Sequence, residues 1–146
     1  MRIKQFEEEA LAYLLAGNQG LFKALRKQMK AATVSRRQRT ANGILTFFKV
    51  PETVDRLKRQ PIEFCVHDVI AATNVGTAFD FTLQVKRGVI HYLRAYAYTD
   101  FRPQGAEQLR FSYLREKPAG SGCLYESESR DWDYVKRMID VYHANS

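Results

Sequence analysis

The chain lacks an apolar run of the ~18 residues a membrane helix needs, so no span is expected. It has only two cysteines, Cys65 and Cys123, too few for a disulfide framework and without a Cys-x-x-Cys pair. Two free thiols in a reducing compartment are the expectation. There is no phosphate-cradling glycine loop and no nucleophile elbow. The four ligating side chains Cys65, His67, Cys123 and His143 do not show paired zinc spacing. No cofactor, no metal and no catalytic residue is therefore expected. The opening stretch, MRIKQFEEEALAYLLAG, sets three glutamates before a short apolar segment, whereas a secretory signal is basic and then continuously apolar. A cytoplasmic location is expected.

Acidic residues are scarce at one end. Residues 1–60 hold 13 Lys/Arg against 5 Asp/Glu, while residues 61–146 hold 10 against 11. The whole net charge of +7 thus has its source in the first part of the chain, a hint of an anionic partner. The length fits one domain, residues 1–146, with a core large enough to need no staples.

Residues 4–16 predict a helix, with Phe6, Ala10, Tyr13 and Leu14 on one stripe and Glu7, Glu8 and Glu9 near the positive end of the dipole. Gly17-Asn18 stops it. A second helix follows over 19–32, apolar at Leu21, Phe22, Leu25 and Met29 and basic at Lys23, Arg26, Lys27 and Lys30. The short link makes the two an antiparallel pair. Asn42-Gly43 marks a hairpin turn between an arginine-rich stretch, with Arg36, Arg37 and Arg39, and the strand GILTFFKV. So much charge suits an edge strand. Arg37 and Arg39 share one face and Arg36 takes the other. Residues 52–60 read as a polar connector. PIEFCVHDVIAA alternates as a strand that turns helical near Asp68. Further strands are expected at 79–86, 89–98 and 109–116, a loop at PAGSG (118–122), and a helix over 130–143 capped by Ser129, with its stripe at Trp132, Val135, Ile139 and Tyr142. The fold class is α+β: an N-terminal antiparallel helix pair, an antiparallel sheet of about five or six strands, and a C-terminal helix.

The hairpin around Gly88 decides what the sheet exposes. Phe79, Phe81, Leu83 and Val85 mark the inner face of its first strand. A two-residue turn at Arg87-Gly88 pairs Val85 with Ile90 and carries Arg94 into the core, and it forces positive φ on Arg87 as well as Gly88. A three-residue loop pairs Val85 with Val89 and Asp80 with Arg94. An unpaired buried charge costs several kcal/mol, which favours the longer loop. Val89, His91, Leu93, Ala95 and Ala97 then line the core. Ile90, Tyr92, Arg94, Tyr96 and Tyr98 form the other face, with a cross-strand Asp80–Arg94 pair. Covering of that row by the C-terminal helix, as a second core, is the competing reading.

The stretch GVIHYLRAYAYTDFRP (88–103) resembles a signature in a group of small uncharacterised bacterial proteins, in which a glycine turn leads into a strand reading Leu-Glu-Gly-Tyr and an aromatic-Pro pair follows. Gly88, Leu93, Tyr96, Tyr98 and Pro103 match. LFKALRKQ (21–28) and NGILTFFKVP (42–51) match more weakly, so the likeness spans about residues 14–114. Arg94 stands where the group has glutamate and Ala95 where it has glycine. In size and make-up the chain is similar to immunity proteins of bacterial toxin systems.

Tyr and Arg are enriched at binding hot spots. The leading expectation is a non-catalytic protein-binding module, such as an immunity protein, whose partner is a toxin or regulatory target and whose contacts are Tyr92, Arg94, Tyr96, Tyr98 and Asp80. The alternative is nucleic-acid binding through Lys23, Arg26, Lys27, Lys30, Arg36, Arg37 and Arg39. A third reading makes Cys65 and His67 a nucleophile–base pair on one strand face.

Overall fold

The computed structural model describes residues 4–73, 76–98 and 109–144, leaving aside the side chains of 76, 77 and 142–144. Helices α1 (Gln5–Leu14) and α2 (Gly20–Ala31) lead into β1 (Thr33–Thr40), β2 (Gly43–Lys49), β3 (Phe64–Thr73), β4 (Gly76–Lys86), β5 (Val89–Ala97), β6 (Arg110–Glu116), β7 (Leu124–Ser127) and α3 (Trp132–Ala144). The strands form one antiparallel sheet in the order β1-β2-β5-β4-β3-β6-β7. The α+β class stands, but the sheet has seven strands rather than five or six. The extra one, β7, is short, and its Leu124 and Tyr125 are exposed, so no apolar alternation announces it. Arginine-rich β1 is an edge strand, as its charge implies. Pro103 lies outside the described residues, as does the Tyr142 side chain.

One core joins the helices to one face of the sheet. Phe6, Leu14, Phe22, Leu25, Val135 and Ile139 pack with Phe64, Val66, Phe79, Phe81, Leu83 and Leu93. Asp131, not Ser129, caps α3: its Oδ1 accepts the Tyr134 N–H at 3.0 Å. Nor does β3 turn helical near Asp68. A bulge between Val66 and Val69 absorbs the irregularity, and Asp68 is fully buried against Arg130.

The Gly88 hairpin departs from expectation in an instructive way. The turn is the tight one: Lys86 pairs with Val89 and Val85 with Ile90, with φ of 54° at Arg87 and 78° at Gly88. Positive φ at a non-glycine residue costs roughly 1–2 kcal/mol, and long-range contacts outweigh it here. The Gly88 N–H donates to the Ile62 carbonyl, and the Gly88 carbonyl accepts from the Leu57 N–H and from Gln28 Nε2, each at 2.9 Å. Gln28 Oε1 also accepts the Ile90 N–H. A side chain on Gly88 would run into the Leu57 backbone.

Arg94 stays out of the core all the same. The pairing jumps from Val85↔Ile90 to Gln84↔Tyr92, so His91 is an extra residue, a bulge that restores the phase of the strand. Leu93 and Ala95 are buried and Arg94 is exposed. Ile90 is a core residue at 1% exposure, against the expectation that it faced outward, while Val89 and His91 are only half-buried. The register also separates the expected ion pair: Arg94 lies opposite Thr82, and Asp80 opposite Tyr96.

Candidate interaction face

The face of the sheet turned away from the helices is built from alternate residues of neighbouring strands. One row across it reads Arg36, Phe47, Tyr92, Gln84, Cys65; the next reads Gln38, Leu45, Arg94, Thr82; a third reads Gly43, Tyr96, Asp80, Ile70, Ser112. Among the described residues, Leu45, Phe47, Tyr92 and Tyr96 take no part in the core shared with the helices. α3 buries Val135, Met138 and Ile139 in that core, on the opposite side of the sheet, so it does not cover the tyrosine row.

Gly43 allows this arrangement. A Cβ there would overlap the Ala95 carbonyl, so β2 approaches β5 closely only because the residue has none. The approach sets Leu45 across from Arg94 and Phe47 across from Tyr92. At one end of the face Arg36 stacks over the Phe47 ring at 4.0 Å, and His91 meets Phe47 edge-on at 5.5 Å. Burial, and then Lys86 and Arg36, push the His91 imidazole below its usual range, towards its neutral form. At the other end Tyr96 and Tyr98 meet edge-on, and the Tyr98 hydroxyl donates to Asp80 Oδ2 at 2.6 Å. That bond is the main reason the Tyr98 phenol is pushed up to about 12. Between the two ends stands Arg94, exposed and, among the described residues, without an ion pair or hydrogen-bond partner.

The structure thus brings Tyr92, Arg94, Tyr96, Tyr98 and Asp80 onto one face, without the Asp80–Arg94 contact. Sequence reasoning missed Leu45 and Phe47. GILTFFKV is apolar at both alternations, so its facing depends on the non-local β2–β5 pairing.

The basic residues of the first part of the chain do not form one patch. Lys23, Lys27 and Lys30 are exposed on α2, on the helix side of the sheet. Arg26 donates to the Leu15 and Gly17 carbonyls and fastens the end of α1. Arg37 makes a 2.6 Å ion pair with buried Glu7. Arg39 pairs opposite Ile44 on that same side, and of these seven residues Arg36 alone reaches the tyrosine face.

Cys65 and His67 both alternate outward from buried Phe64, Val66 and Asp68, but the Cys65 thiol donates to Gln84 Oε1, at 2.9 Å, and not to the imidazole. Burial pushes the thiol above its usual range, against a smaller opposing effect of Arg94, so the neutral thiol is favoured over the reactive thiolate. Among the described residues no helix is long and apolar enough to cross a membrane, and no group of His, Cys, Asp and Glu could hold a metal ion. No protein-family model, curated protein or solved structure matches the chain.

Proposed function

We propose that the chain is a non-catalytic protein-binding module that docks a partner on the helix-free face of its sheet, as an immunity protein does when it neutralises a bacterial toxin. The observation that carries this reading is Arg94, a guanidinium without an ion pair among the described residues, set between Tyr92 and Tyr96 on an interior strand and bordered by Leu45. Arg and Tyr are the side chains that most often dominate interface energetics. The face is rigid, because its strands are backed by the core, so a partner meets a preformed surface.

The test is capture from native lysate of the source cell. Wild-type chain is compared with a Tyr92→Ala/Arg94→Glu/Tyr96→Ala variant and with a Lys23→Glu/Lys27→Glu control. A protein lost with the first variant and kept by the control supports the reading. Identical captures from all three overturn it.

Nucleic-acid binding through the basic N-terminal part is the weaker proposal. Arg26 and Arg37 are engaged within the fold, and the α2 lysines lie on the other side of the sheet from the tyrosines. Fluorescence anisotropy with single- and double-stranded oligonucleotides at two salt concentrations tests it, because phosphate-driven binding weakens steeply with salt. No binding at the lower salt removes it.

A further inference from the structure

The helix-free face has a charge and a texture that define what fits it. On β1, β2, β4 and β5 the register assigns this face four cations, Arg36, Lys49, Lys86 and Arg94, and one anion, Asp80. Asp80 is engaged by the Tyr98 hydroxyl, and Arg36 lies flat on Phe47. Arg94, in the middle of the face, donates to none of the described residues, with Tyr92 and Tyr96 two residues away on either side along β5 and Leu45 and Thr82 across the neighbouring strands. A planar guanidinium with free donors selects a carboxylate or phosphate oxygen pair.

The texture chooses between those two anions. Bases of single-stranded nucleic acid stack on ring faces that lie open. Here Tyr96 and Tyr98 meet at 72°, Phe47 and Tyr92 at 59°, and Arg36 covers one face of Phe47. The rings fill one another's flanks instead of offering parallel platforms. The Asp80 carboxylate, opposite Tyr96, also interrupts any positive track that a phosphate backbone would follow.

Resting on the docking face proposed above, we infer that its partner is a polypeptide segment carrying an Asp or Glu carboxylate beside apolar or aromatic side chains. The carboxylate forms a forked pair with Arg94, and the flanking groups cover Leu45, Tyr92 and Tyr96.

Selection of a random linear peptide library on the immobilised full chain tests this, run in parallel on Arg94→Glu and on a Lys27→Glu control. Arg94 is exposed, so its variants keep the fold, and circular dichroism checks that they do. Selected peptides are synthesised and their affinities measured by fluorescence anisotropy. The expected result is enrichment of Asp or Glu next to apolar residues. Binding falls at least tenfold on Arg94→Glu and is unchanged on Lys27→Glu, and the Arg94→Glu selection turns to Lys- or Arg-bearing peptides. Peptides that need Tyr92 or Tyr96 but carry no acidic residue overturn the carboxylate and leave the docking face standing. Absence of any peptide that depends on Tyr92, Arg94 or Tyr96 overturns both. Oligothymidine that competes with the selected peptides and loses affinity in Tyr96→Ala overturns the inference in favour of a phosphate ligand.

Discussion

Replacing Arg130 with methionine is expected to destabilise the chain more than any change on its surface. The Arg130 side chain is 5% exposed and that of Asp68 not at all. Its Nε and Nη2 donate to the two Asp68 carboxylate oxygens, and Nη1 and Nη2 donate to the carbonyls of Ala16 and Leu14, all at 2.9 Å. The guanidinium also lies 4.8–5.2 Å from the ring centres of Phe22, Trp132 and Tyr113. One group thus joins the end of α1, the β3 bulge and the start of α3. Methionine keeps much of the volume but leaves Asp68 buried without a counter-charge, a loss of about 3–5 kcal/mol. Each of the two carbonyls left without a donor adds about 1–3 kcal/mol where water cannot reach it. Against a total stability of about 5–15 kcal/mol for a domain, the variant is expected to be barely folded. The companion Asp68→Leu/Arg130→Met removes both charges. Buried pairs replaced by apolar groups are often neutral in stability, so the double variant should be more stable than Arg130→Met alone. Urea melts followed by Trp132 fluorescence measure the wild type, both single variants (Arg130→Met and Asp68→Leu) and the double. A loss below about 1 kcal/mol in Arg130→Met, or additive losses in the double variant, would refute the argument that the pair is a single buried unit.

Arg87→Asn should raise stability by about 0.5–1 kcal/mol in the same melts, because asparagine tolerates the φ of 54° better than arginine. Glu7 predicts an acid sensitivity. Burial alone would raise its pKa, but hydrogen bonds from Arg37, Thr46 and the Lys4 N–H together hold it below the usual carboxylate range. A lowered folded pKa means stability that is complete above the unfolded value and is lost as pH falls through the folded one, so melting temperature should drop below about pH 4 and Glu7→Gln should flatten that drop. Iodoacetamide near neutral pH should label exposed Cys123 first and Cys65 more slowly than an ordinary thiol, with Arg94→Glu slowing Cys65 further; peptide mapping after timed quenching reads both rates. Gln28→Leu should cost about 2–4 kcal/mol, because the buried Ile90 N–H loses its acceptor and Gln28 Nε2 no longer serves the Asp55 and Gly88 carbonyls.

Much of the fold was legible because periodicity is local. The stripes through Leu14, Leu25 and Val135 mark faces that the core does bury. The Gly88 hairpin shows where local reasoning ends. Positive φ at Arg87 is unfavourable in isolation, and that preference pointed to the longer loop. What reverses it is Gln28, Leu57 and Ile62, none of which is near Gly88 in sequence. The outward facing of Arg94 was nonetheless foreseeable, because an unpaired guanidinium cannot stay in the core, and a bulge at His91 is a cheaper remedy than burial. The charge argument gave the facing of the strand but not its register, so Asp80 was assigned the wrong partner.

The arginines of the first part of the chain show the same division. Counted in sequence, they suggest a patch. In the fold, two of them go where an internal acceptor needs them: Arg26 to the carbonyls that end α1, Arg37 to Glu7. Arg130, from the near-neutral part of the chain, does likewise with Asp68. An excess of basic residues is therefore a poor guide to a binding surface until the internal acceptors have been matched. Among the described residues Arg94 keeps no partner once that matching is done, and a cation held on an interior strand of the sheet is better placed to meet a partner's anion than lysines on long flexible stems along a helix.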